Sequence, residues 1–446
     1  MYNIYIETYG CSANQNNSEI IVGMLAKAGL FIVKNADNAD FLILNTCVVK
    51  GPTEQRMRSR IQELSKIKKP LIVTGCMPDV ESNVIKKINP FVNLVGVHHI
   101  KDILNVVRKV IEGKNIELIS KKDEVKLNTE KIPKSRIIGI TQISEGCIGQ
   151  CAYCYTRLAK GKLFSYPKDL ILESVKKDIE SGCKEIWLTS QDCAAYGLDK
   201  GKRELPELLR DILKPKKRTN SFLGCSEKRI FPTSRAKFFI RLGMMNPNNV
   251  KPMLNKLIEC YKDKKMFKFL HIPLQSGSDS VLEDMRRNYN VKDFIEIVNA
   301  FRKEIPDILI STDIICGYPT ETEKDFEETL NIIKNIKPNI VNTSKFWAMP
   351  KTKAARLKQL SSEEIKKRSV KMTFLHKQNG LEINKALLGK EYSCIIDDFG
   401  NAGKMVARNI NYLPILLNSG KIGEIVNVKV TGYNYNYLIG EIISSN

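Results

Sequence analysis

The segment GCIGQCAYCY, residues 146–155, places Cys147, Cys151 and Cys154 in the spacing C-x3-C-x2-C. A closed zinc site or an ordinary ferredoxin-type cluster is held by four protein ligands, so this loop supplies one too few. Three thiolates leave one metal position open, and an open position is typical of a site that performs chemistry. The rest of the chain has to indicate which chemistry that is.

The composition indicates a globular protein with a polyanionic partner. The chain has 446 residues, enough for two or three domains, and a formal net charge of +22. This excess favours nucleic acid as the partner, although a generally basic proteome or lysine-rich solvated helices would also produce it. We find no signal peptide and no apolar run near the roughly 20 residues that span a bilayer, so we expect a cytoplasmic protein without membrane contact. In a reducing compartment, clustered cysteines indicate metal binding or catalysis rather than disulfides.

Residues 1–110 predict an open parallel α/β domain. The apolar runs NIYIET, DFLILN and PLIVTG alternate with helices predicted at 17–29, 53–67 and 80–88. A cysteine follows each run, namely Cys11, Cys47 and Cys76. Ligands of such sheets bind beyond the carboxyl ends of the strands, so we predict that the three thiols converge at one edge. The alternative is three buried structural cysteines.

A barrel-like β/α series follows the first domain. Residues 111–132 are polar and are interpreted as a linker, and residues 133–375 predict an incomplete TIM-like barrel of six β/α units. Such barrels carry their chemistry at the C-terminal ends of the strands, and the GCIGQCAYCY loop follows the first strand. Residues 214–237 interrupt the pattern with eight Lys or Arg against one Glu, and they include Cys225. We interpret this insertion as disordered, with an RNA-contacting loop or a mistranslated or unspliced stretch as alternatives.

Residues 383–446 predict a small antiparallel β-barrel of OB-like size. Short alternating strands such as EYSCIIDDF and EIVNVKVTGY are separated by turn residues. Small barrels of this kind often bind nucleic acid through a face and its loops. A packing module without RNA contact is the alternative.

The motifs resemble a known family. The three-cysteine loop, with Tyr153 before its last cysteine, resembles the signature of radical S-adenosylmethionine (SAM) enzymes. A three-cysteine α/β domain, a radical SAM barrel and a small terminal barrel together resemble the methylthiotransferase family, whose last domain is the RNA-binding TRAM module. The stretches ETYGCSANQNNSE, LTSQDCAAYG and RLGMMNPNN are most similar to the archaeal and eukaryotic branch. That branch acts on N6-threonylcarbamoyladenosine (t6A) at tRNA position 37.

The resemblance implies a mechanism and its cofactors. It implies two [4Fe–4S] clusters with three cysteine ligands each: Cys147, Cys151 and Cys154 for one, and Cys11, Cys47 and Cys76 for the other. SAM at the first cluster would yield a radical that takes hydrogen from C2 of the adenine, and sulfur methylated at the second cluster would join C2. The product would be 2-methylthio-t6A. The implied partners are the tRNA anticodon loop with its modified A37, an electron donor protein and a sulfur source.

Other residues of the motifs carry weaker predictions. The predicted SAM-binding residues are Tyr153, Gln191, Asp192, Arg241 and Gln275. The last four lie at predicted strand ends, where a structural role is equally common. Arg157, Lys160 and Lys162 are candidate RNA or substrate contacts. The chain departs from the family where Thr320 replaces a usual glycine, and in KFWAMPKTKAA, which lacks the usual arginine and glycine of a substrate-facing loop. We assign no catalytic acid or base.

Three classes of function are compatible with these motifs. The leading one is a tRNA methylthiotransferase acting on t6A. The same chemistry on isopentenyladenosine in tRNA, or on a ribosomal protein side chain, is the second. A zinc-stabilised RNA-binding protein without catalysis is the third, and the two three-ligand sets disfavour it.

Overall fold

The computed structural model describes residues 2–48, 51–214 and 237–445. Nearly all of the basic insertion predicted at 214–237, including Cys225, lies outside the described residues. In the described part of the chain, a parallel α/β sheet, a set of parallel barrel strands and a closed small barrel follow one another.

The N-terminal unit is a parallel sheet in the order β2-β1-β3-β4-β5-β6. Its strands are β1 (Asn3–Thr8), β2 (Phe31–Val33), β3 (Phe41–Thr46), β4 (Leu71–Gly75), β5 (Asn93–Gly96) and β6 (Glu117–Leu118). Its helices are α1 (Ser12–Lys27), α2 (Gly51–Ser65), α3 (Cys76–Ile88) and α4 (Ile103–Ile111). Strands β3, β4 and β5 are buried along their whole length, as the central strands of a covered parallel sheet should be. The predicted sheet is confirmed.

Helices α1 and α3 begin earlier than predicted. Helix α1 starts at Ser12 and α3 at Cys76, in each case directly at the cysteine. The first turns hide the helical period, because α1 opens on the polar stretch SANQNN and α3 has Pro78 in its first turn. Cys11 and Cys76 therefore lie at helix N-termini rather than in loops.

The segment 111–132, interpreted as a linker, is exposed over residues 111–115 and packs against the protein further along. Strand β6 within it pairs with β5. The Lys126 side chain is buried and its Nζ donates to Glu145 at 2.6 Å, and the Ile132 amide donates to the Glu19 carbonyl at 3.0 Å. Charge along this stretch predicts solvent exposure, which holds for the surface pair of Glu112 and Lys114 but not for the buried Lys126.

In the described residues, the middle unit carries six parallel strands in sequence order and two short antiparallel strands. Its strands are β7 (Ile138–Gln142), β8 (Ser144–Glu145), β9 (Phe164–Ser165), β10 (Glu185–Thr189), β11 (Phe239–Leu242), β12 (Phe269–His271), β13 (Leu309–Cys316) and β14 (Ile340–Lys345). The parallel sheets β7-β10-β11 and β12-β13-β14 are joined by a parallel bridge between Ile240 and Met266. Strands β8 and β9 form a separate antiparallel ribbon. The predicted incomplete barrel is confirmed.

Helices alternate with these strands. They are α5 (Thr156–Lys160), α6 (Lys168–Glu180), α7 (Leu205–Leu213), α8 (Pro247–Val250), α9 (Leu254–Tyr261), α10 (Asp279–Asp284), α11 (Val291–Glu304), α12 (Glu323–Ile336) and α13 (Ser362–Lys385). Helices α11 and α12 each begin with a capping box, from Asn290 to Asp293 and from Thr322 to Asp325. Among the helices of the described ranges, none combines the length and apolar character needed to cross a membrane.

The C-terminal unit is a closed five-stranded barrel in the order β15-β16-β17-β19-β18. Its strands are β15 (Glu391–Phe399), β16 (Met405–Asn409), β17 (Pro414–Leu417), β18 (Ile425–Tyr433) and β19 (Leu438–Ser445). The small barrel is confirmed, with one difference: β17 and β19 pair in parallel, because the long β18–β19 hairpin brings β19 back beside β17.

The C-terminal barrel covers the N-terminal ends of the middle strands. The side chains of Ile138, Ile140, Phe267 and Phe269 share one buried core with the inside of the small barrel. The Lys268 amide, directly before β12, donates to the Ile410 carbonyl at 2.7 Å. This end is opposite the strand ends where the cysteine loop lies.

Candidate active site between the two cysteine sets

The first cysteine set lies beyond three adjacent strands. Cys11 follows β1, Cys47 follows β3 and Cys76 follows β4, and these strands are neighbours in the sheet. Burial raises the pKa of the Cys76 thiol, and nearby Cys47 and Cys11 raise it further. Cys47 and Cys76 are buried, whereas Cys11 is exposed. The structure thus brings the three thiols together, as predicted.

Asn14, which the sequence analysis missed, connects the three segments. Its Nδ2 donates to the carbonyls of Tyr9 at 3.0 Å and Thr46 at 2.7 Å. Its Oδ1 faces Cys76 Sγ at 3.9 Å. The polar run ANQNN at the start of a helix was the available signal, since asparagines inside a helix need a reason.

Two glycines allow the loops to approach one another. Gly10 has φ of +108°, and a Cβ there would lie 2.8 Å from Cys47 Cβ. Gly75 has φ of +90°, and a Cβ there would lie 2.4 Å from the Thr46 carbonyl oxygen. Any other residue at these positions would be strained and would push the cysteine segments apart.

The second cysteine set occupies the loop between β8 and α5. The Gly149 amide donates to Cys147 Sγ at 3.2 Å, and the amides of Thr156 and Arg157 lower the pKa of Cys154 against the larger effect of its burial. Burial raises the pKa of Cys147 to about 12. The three thiols are partly exposed. Backbone amides that point at sulfur favour thiolate, the form that binds metal.

Arg287 is a second residue that the sequence analysis missed. Its Nη1 donates to Cys151 Sγ at 3.1 Å, and its Nε donates to the Tyr289 hydroxyl at 3.1 Å. Its other terminal nitrogen hydrogen-bonds Asn246 Oδ1. The sequence DMRRNYN offered two adjacent arginines and no means of choosing between them, because the contact depends on how the end of α10 meets the cysteine loop.

A buried ion triad lies between the two sets. Lys126 Nζ and Lys160 Nζ contact the two oxygens of Glu145 at 2.6 and 2.8 Å, and all three side chains are nearly inaccessible to solvent. Burial alone would raise the pKa of Glu145, but the two ammonium groups hold it at about 2. Lys160 also acts electrostatically on Cys76 and Cys11. Lys160, predicted as a candidate RNA or substrate contact, is therefore buried inside the protein.

The predicted SAM-binding residues divide into three groups. Tyr153 and Gln275 line one cavity of about 280 Å³ with residues of β13 and β14. Gln191 and Asp192 lie near Cys147, whose pKa Asp192 raises. The buried Oε1 of Gln191 has no hydrogen-bond partner among the described residues. The Asp192 carboxylate, by contrast, accepts hydrogen bonds from Ala194, Asn246 and Asn249.

Arg241 lies away from the cysteines. Its guanidinium is stacked over the rings of Trp187, Phe269 and Tyr412 at 5.0, 4.9 and 5.1 Å. Tyr412 belongs to the C-terminal unit, so Arg241 connects two domains. Its contact with SAM stays a prediction.

The two cysteine sets face one junction between the domains. Ser12, next to Cys11, hydrogen-bonds Thr189 at the end of β10 over 2.7 Å. The Tyr155 hydroxyl, next to Cys154, donates to Glu81 of α3 at 3.1 Å. Tyr155, Ala159 and Met349 also enter the core of the N-terminal sheet. Elements that carry one set thus contact elements that carry the other.

A basic segment borders this junction. We call residues 346–358, FWAMPKTKAARLK, the mouth loop. It holds four exposed basic residues and no acidic one: Lys351, Lys353, Arg356 and Lys358. Lys351 has φ of +65°, which lies in the left-handed region that favours glycine.

In residues 2–48, 51–214 and 237–445, no three His, Cys, Asp or Glu side chains are placed to hold a single metal ion.

Family models match all three units. Residues 3–96 match the Uncharacterized protein family UPF0004, residues 141–333 the Radical SAM superfamily, and residues 385–443 the TRAM domain. The fold is similar to that of TsrM from Kitasatospora setae, a radical S-adenosylmethionine methyltransferase solved with cobalamin and a [4Fe-4S] cluster. The TM-score is 0.57 at 11% identity, over 79% of this chain and 76% of that one, which shows a shared fold alone.

Relatives match over almost the whole length of this chain. A probable threonylcarbamoyladenosine tRNA methylthiotransferase from Pyrococcus horikoshii is 38% identical over 450 residues, covering 100% of both chains. One from Methanothermobacter thermautotrophicus is 37% identical over 98% of this chain and 99% of its own. The threonylcarbamoyladenosine tRNA methylthiotransferase of Mus musculus is 33% identical over 99% of this chain and 74% of its own. The chain therefore belongs to the threonylcarbamoyladenosine tRNA methylthiotransferase family.

Proposed function

We propose that this protein transfers a methylthio group to C2 of the adenine in t6A at position 37 of tRNA. The observation that carries the proposal is the pair of three-cysteine sets at one junction between two domains. A single cysteine set would support either radical formation or sulfur binding. The proposed reaction needs both of these processes at the same adenine. The names of the full-length relatives support t6A as the substrate.

SAM and an iron–sulfur cluster fit the GCIGQCAYCY loop. It offers three soft thiol ligands, partly exposed, beside the cavity that Tyr153 and Gln275 line. The unpartnered oxygen of Gln191 is a suitable acceptor for a bound ligand.

We extend the assignment to a second cluster at Cys11, Cys47 and Cys76. This set has the same donor chemistry, and two of its members lie at helix N-termini, which favour anionic ligands. When bound, the two clusters and SAM supply the radical that removes hydrogen from C2 and the sulfur that replaces it.

The side chains around the thiols provide positive charge and hydrogen bonds. Arg287 donates to Cys151, and Lys160 acts electrostatically on Cys76 and Cys11. Lys160 lowers the pKa of Cys76 against the larger effect of burial, which raises it. Burial of Lys160 by Glu145 and Lys126 fixes that charge and keeps water from screening it.

The partners follow from the reaction. The net charge of +22 and the TRAM domain support tRNA, with its anticodon loop at the mouth loop. An electron donor protein and a sulfur source are required by the chemistry and are part of the proposal. A cytoplasmic location stays a prediction.

The decisive experiment is nucleoside mass spectrometry on tRNA. Cells that make t6A but lack its thiomethylated form would express this protein, Cys147→Ala or Cys183→Ala. We expect 2-methylthio-t6A with the parent protein and with Cys183→Ala, because Cys183 lies outside both sets, and none with Cys147→Ala. Thiomethylated isopentenyladenosine in place of thiomethylated t6A would reject t6A as the substrate, as would a methylthio group found on a ribosomal protein. A purified protein that is colourless and contains zinc would reject the radical chemistry.

The second set has its own test. Purified anaerobically, the parent protein should contain roughly eight iron and eight sulfide per chain. Cys47→Ala should contain about half, still cleave SAM, and form no methylthio product. If Cys47→Ala makes product, the first cysteine set is not the sulfur site.

A further inference from the structure

The Trp347 indole is the most unusual surface feature of the junction. It is 45% exposed, although tryptophan is normally buried on most of its surface. It also lines the cavity shared by Tyr153 and Gln275. The chain has only two tryptophans, and the other, Trp187, lies under Arg241 at the opposite end of the barrel strands.

The protein covers one part of the indole tightly. A Cβ built on Gly51 would lie 2.2 Å from Cδ2 and 2.4 Å from Cε2 and Cγ of Trp347. Only glycine therefore lets the ring lie against the first turn of α2. Gly51 is four residues after Cys47, so Trp347 extends from the barrel to the segment that carries the first cysteine set.

The mouth loop holds the indole from both domains. The Ala354 amide donates to the carbonyl of Ala152, between Cys151 and Cys154, at 3.0 Å. Lys351 Nζ donates to the Val80 carbonyl in α3 at 3.2 Å. Thr352 Oγ1 donates to the Met349 carbonyl at 2.7 Å inside the loop. A ring fixed in this way loses little entropy when a ligand stacks on it.

We propose that the exposed part of the Trp347 indole is a stacking platform for the purine of the substrate RNA that is to be modified. This inference rests on the proposed function. Proteins commonly hold unstacked bases of RNA loops on aromatic rings, and such stacking needs no specific base edge. The position between the two cysteine sets is where a purine must lie to be reached from both. The exposed Lys353, Arg356 and Lys358 are suited to the flanking phosphates.

Tryptophan fluorescence tests the platform directly. Trp187→Phe leaves Trp347 as the only tryptophan, and Trp347→Phe leaves Trp187, so excitation at a wavelength that tyrosine does not absorb reports one indole in each variant. Both would be titrated anaerobically, with clusters loaded, against an anticodon stem-loop that carries t6A at position 37. We expect quenching in Trp187→Phe and none in Trp347→Phe. Equal signals in the two variants would overturn the proposal.

Two further titrations identify the stacked base. SAM also carries a purine, so SAM alone should leave Trp347 fluorescence unchanged. A stem-loop that is abasic at position 37 should lose the quenching. Quenching by SAM alone would assign the ring to SAM, and full quenching by the abasic RNA would assign it to another base. Either result overturns the proposal.

Affinity gives a second readout. Trp347→Ala should bind the stem-loop about 5- to 150-fold more weakly, and Trp347→Phe should keep most of the affinity. Gly51→Ala, which displaces the indole, should weaken binding in the same direction. Phe91→Ala is the matched control, since Phe91 is 85% exposed just before β5, at the opposite edge of the N-terminal sheet. Equal affinities of Trp347→Ala and Phe91→Ala would contradict the platform.

Failure of this inference is distinguishable from failure of the proposed function. A protein that makes 2-methylthio-t6A without Trp347 quenching would keep the reaction and reject the platform. A protein that quenches with the RNA but forms no product would keep the platform and reject the reaction.

Discussion

At the scale of single residues, the site depends on buried charge. Lys126, Glu145 and Lys160 carry a net positive charge in the interior, where an unpaired ion costs several kcal/mol. Burial lowers the pKa of Lys126, whereas Glu145 raises that of Lys160 against the effect of burial. The single carboxylate of Glu145 thus neutralises only one of the two ammonium charges. Anionic ligands near Cys76 would offset the remaining positive charge.

Substitutions of Glu145 and of Lys160 in the triad should destabilise the protein by different amounts. Glu145→Gln leaves two buried ammonium groups without a counter-ion and should lower the free energy of unfolding by about 3–5 kcal/mol. Lys160→Met leaves the Lys126–Glu145 pair intact and should cost less. Urea unfolding followed by circular dichroism measures both. A larger loss in Lys160→Met would mean that the charge of the triad does not govern its stability.

Under the proposed function, Arg287 should tune the reduction potential of the cluster that its neighbour Cys151 would bind. A hydrogen bond to a cluster sulfur raises the reduction potential, so Arg287→Met should lower it while iron content is kept. Redox titration followed by electron paramagnetic resonance measures the potential. Arg286→Met is the control, because Arg286 is exposed and directly adjacent in sequence. Identical potentials in the two variants would remove Arg287 from this role.

At the scale of elements, the contact between β10 and β15 is sensitive to pH. Burial raises the pKa of Glu185 in β10 to about 8, and neighbouring Asp397 in β15 raises it further. Burial likewise raises the pKa of Asp397 to about 6, although Arg408 opposes this. Glu185 Oε1 is buried without a partner among the described residues.

The proton bound by folded Glu185 determines whether folding stability rises or falls with pH. Between the ordinary carboxyl value of 4.5 and about 8, folded Glu185 binds a proton that the unfolded chain does not. Stability therefore falls as pH rises through that range. Glu185→Gln should remove most of the loss between pH 6 and 8, as measured by thermal unfolding at each pH. Glu180→Gln, at an exposed site on α6, should retain the parent slope; a parent slope in Glu185→Gln would exclude this carboxyl as the cause.

The sequence predicted elements well where one physical signal dominates. The pattern of apolar strands followed by cysteines was sufficient to predict the N-terminal sheet. It also predicted that the three thiols lie close together, because parallel strands end at one edge of the sheet. Helix starts were missed at Ser12 and Cys76, where polar residues and proline conceal the period. Contacts between distant segments, such as Arg287 with Cys151 or Asn14 with Thr46, have no periodic signature. They depend on packing, which single-sequence patterns do not encode.

At the scale of the whole molecule, the C-terminal barrel is part of the fold of its neighbour. It shares a core with Ile138, Ile140, Phe267 and Phe269 of the middle unit. The long helix α13 runs directly into it, and Asn384 near the helix end donates to the Asn434 carbonyl at 2.7 Å. Removing this unit would expose the apolar side chains of the middle unit that belong to this shared core.

Truncation after Ala386 should therefore unfold or aggregate the protein rather than only weaken RNA binding. We expect low soluble yield and strong binding of an apolar dye to what remains, because several large side chains lose their cover. Size-exclusion chromatography and dye fluorescence measure this. A monomeric truncated protein with native circular dichroism and full iron content would contradict it.

The position of the C-terminal barrel has a kinetic consequence. It closes one end of the parallel strands, so molecules reach the thiols from the other end, where the mouth loop lies. Under the proposed function, SAM and the anticodon loop would both enter at this end. A bound RNA would then block the exchange of SAM for its cleavage products, so we expect SAM to bind before the RNA and the modified RNA to leave before the next SAM binds.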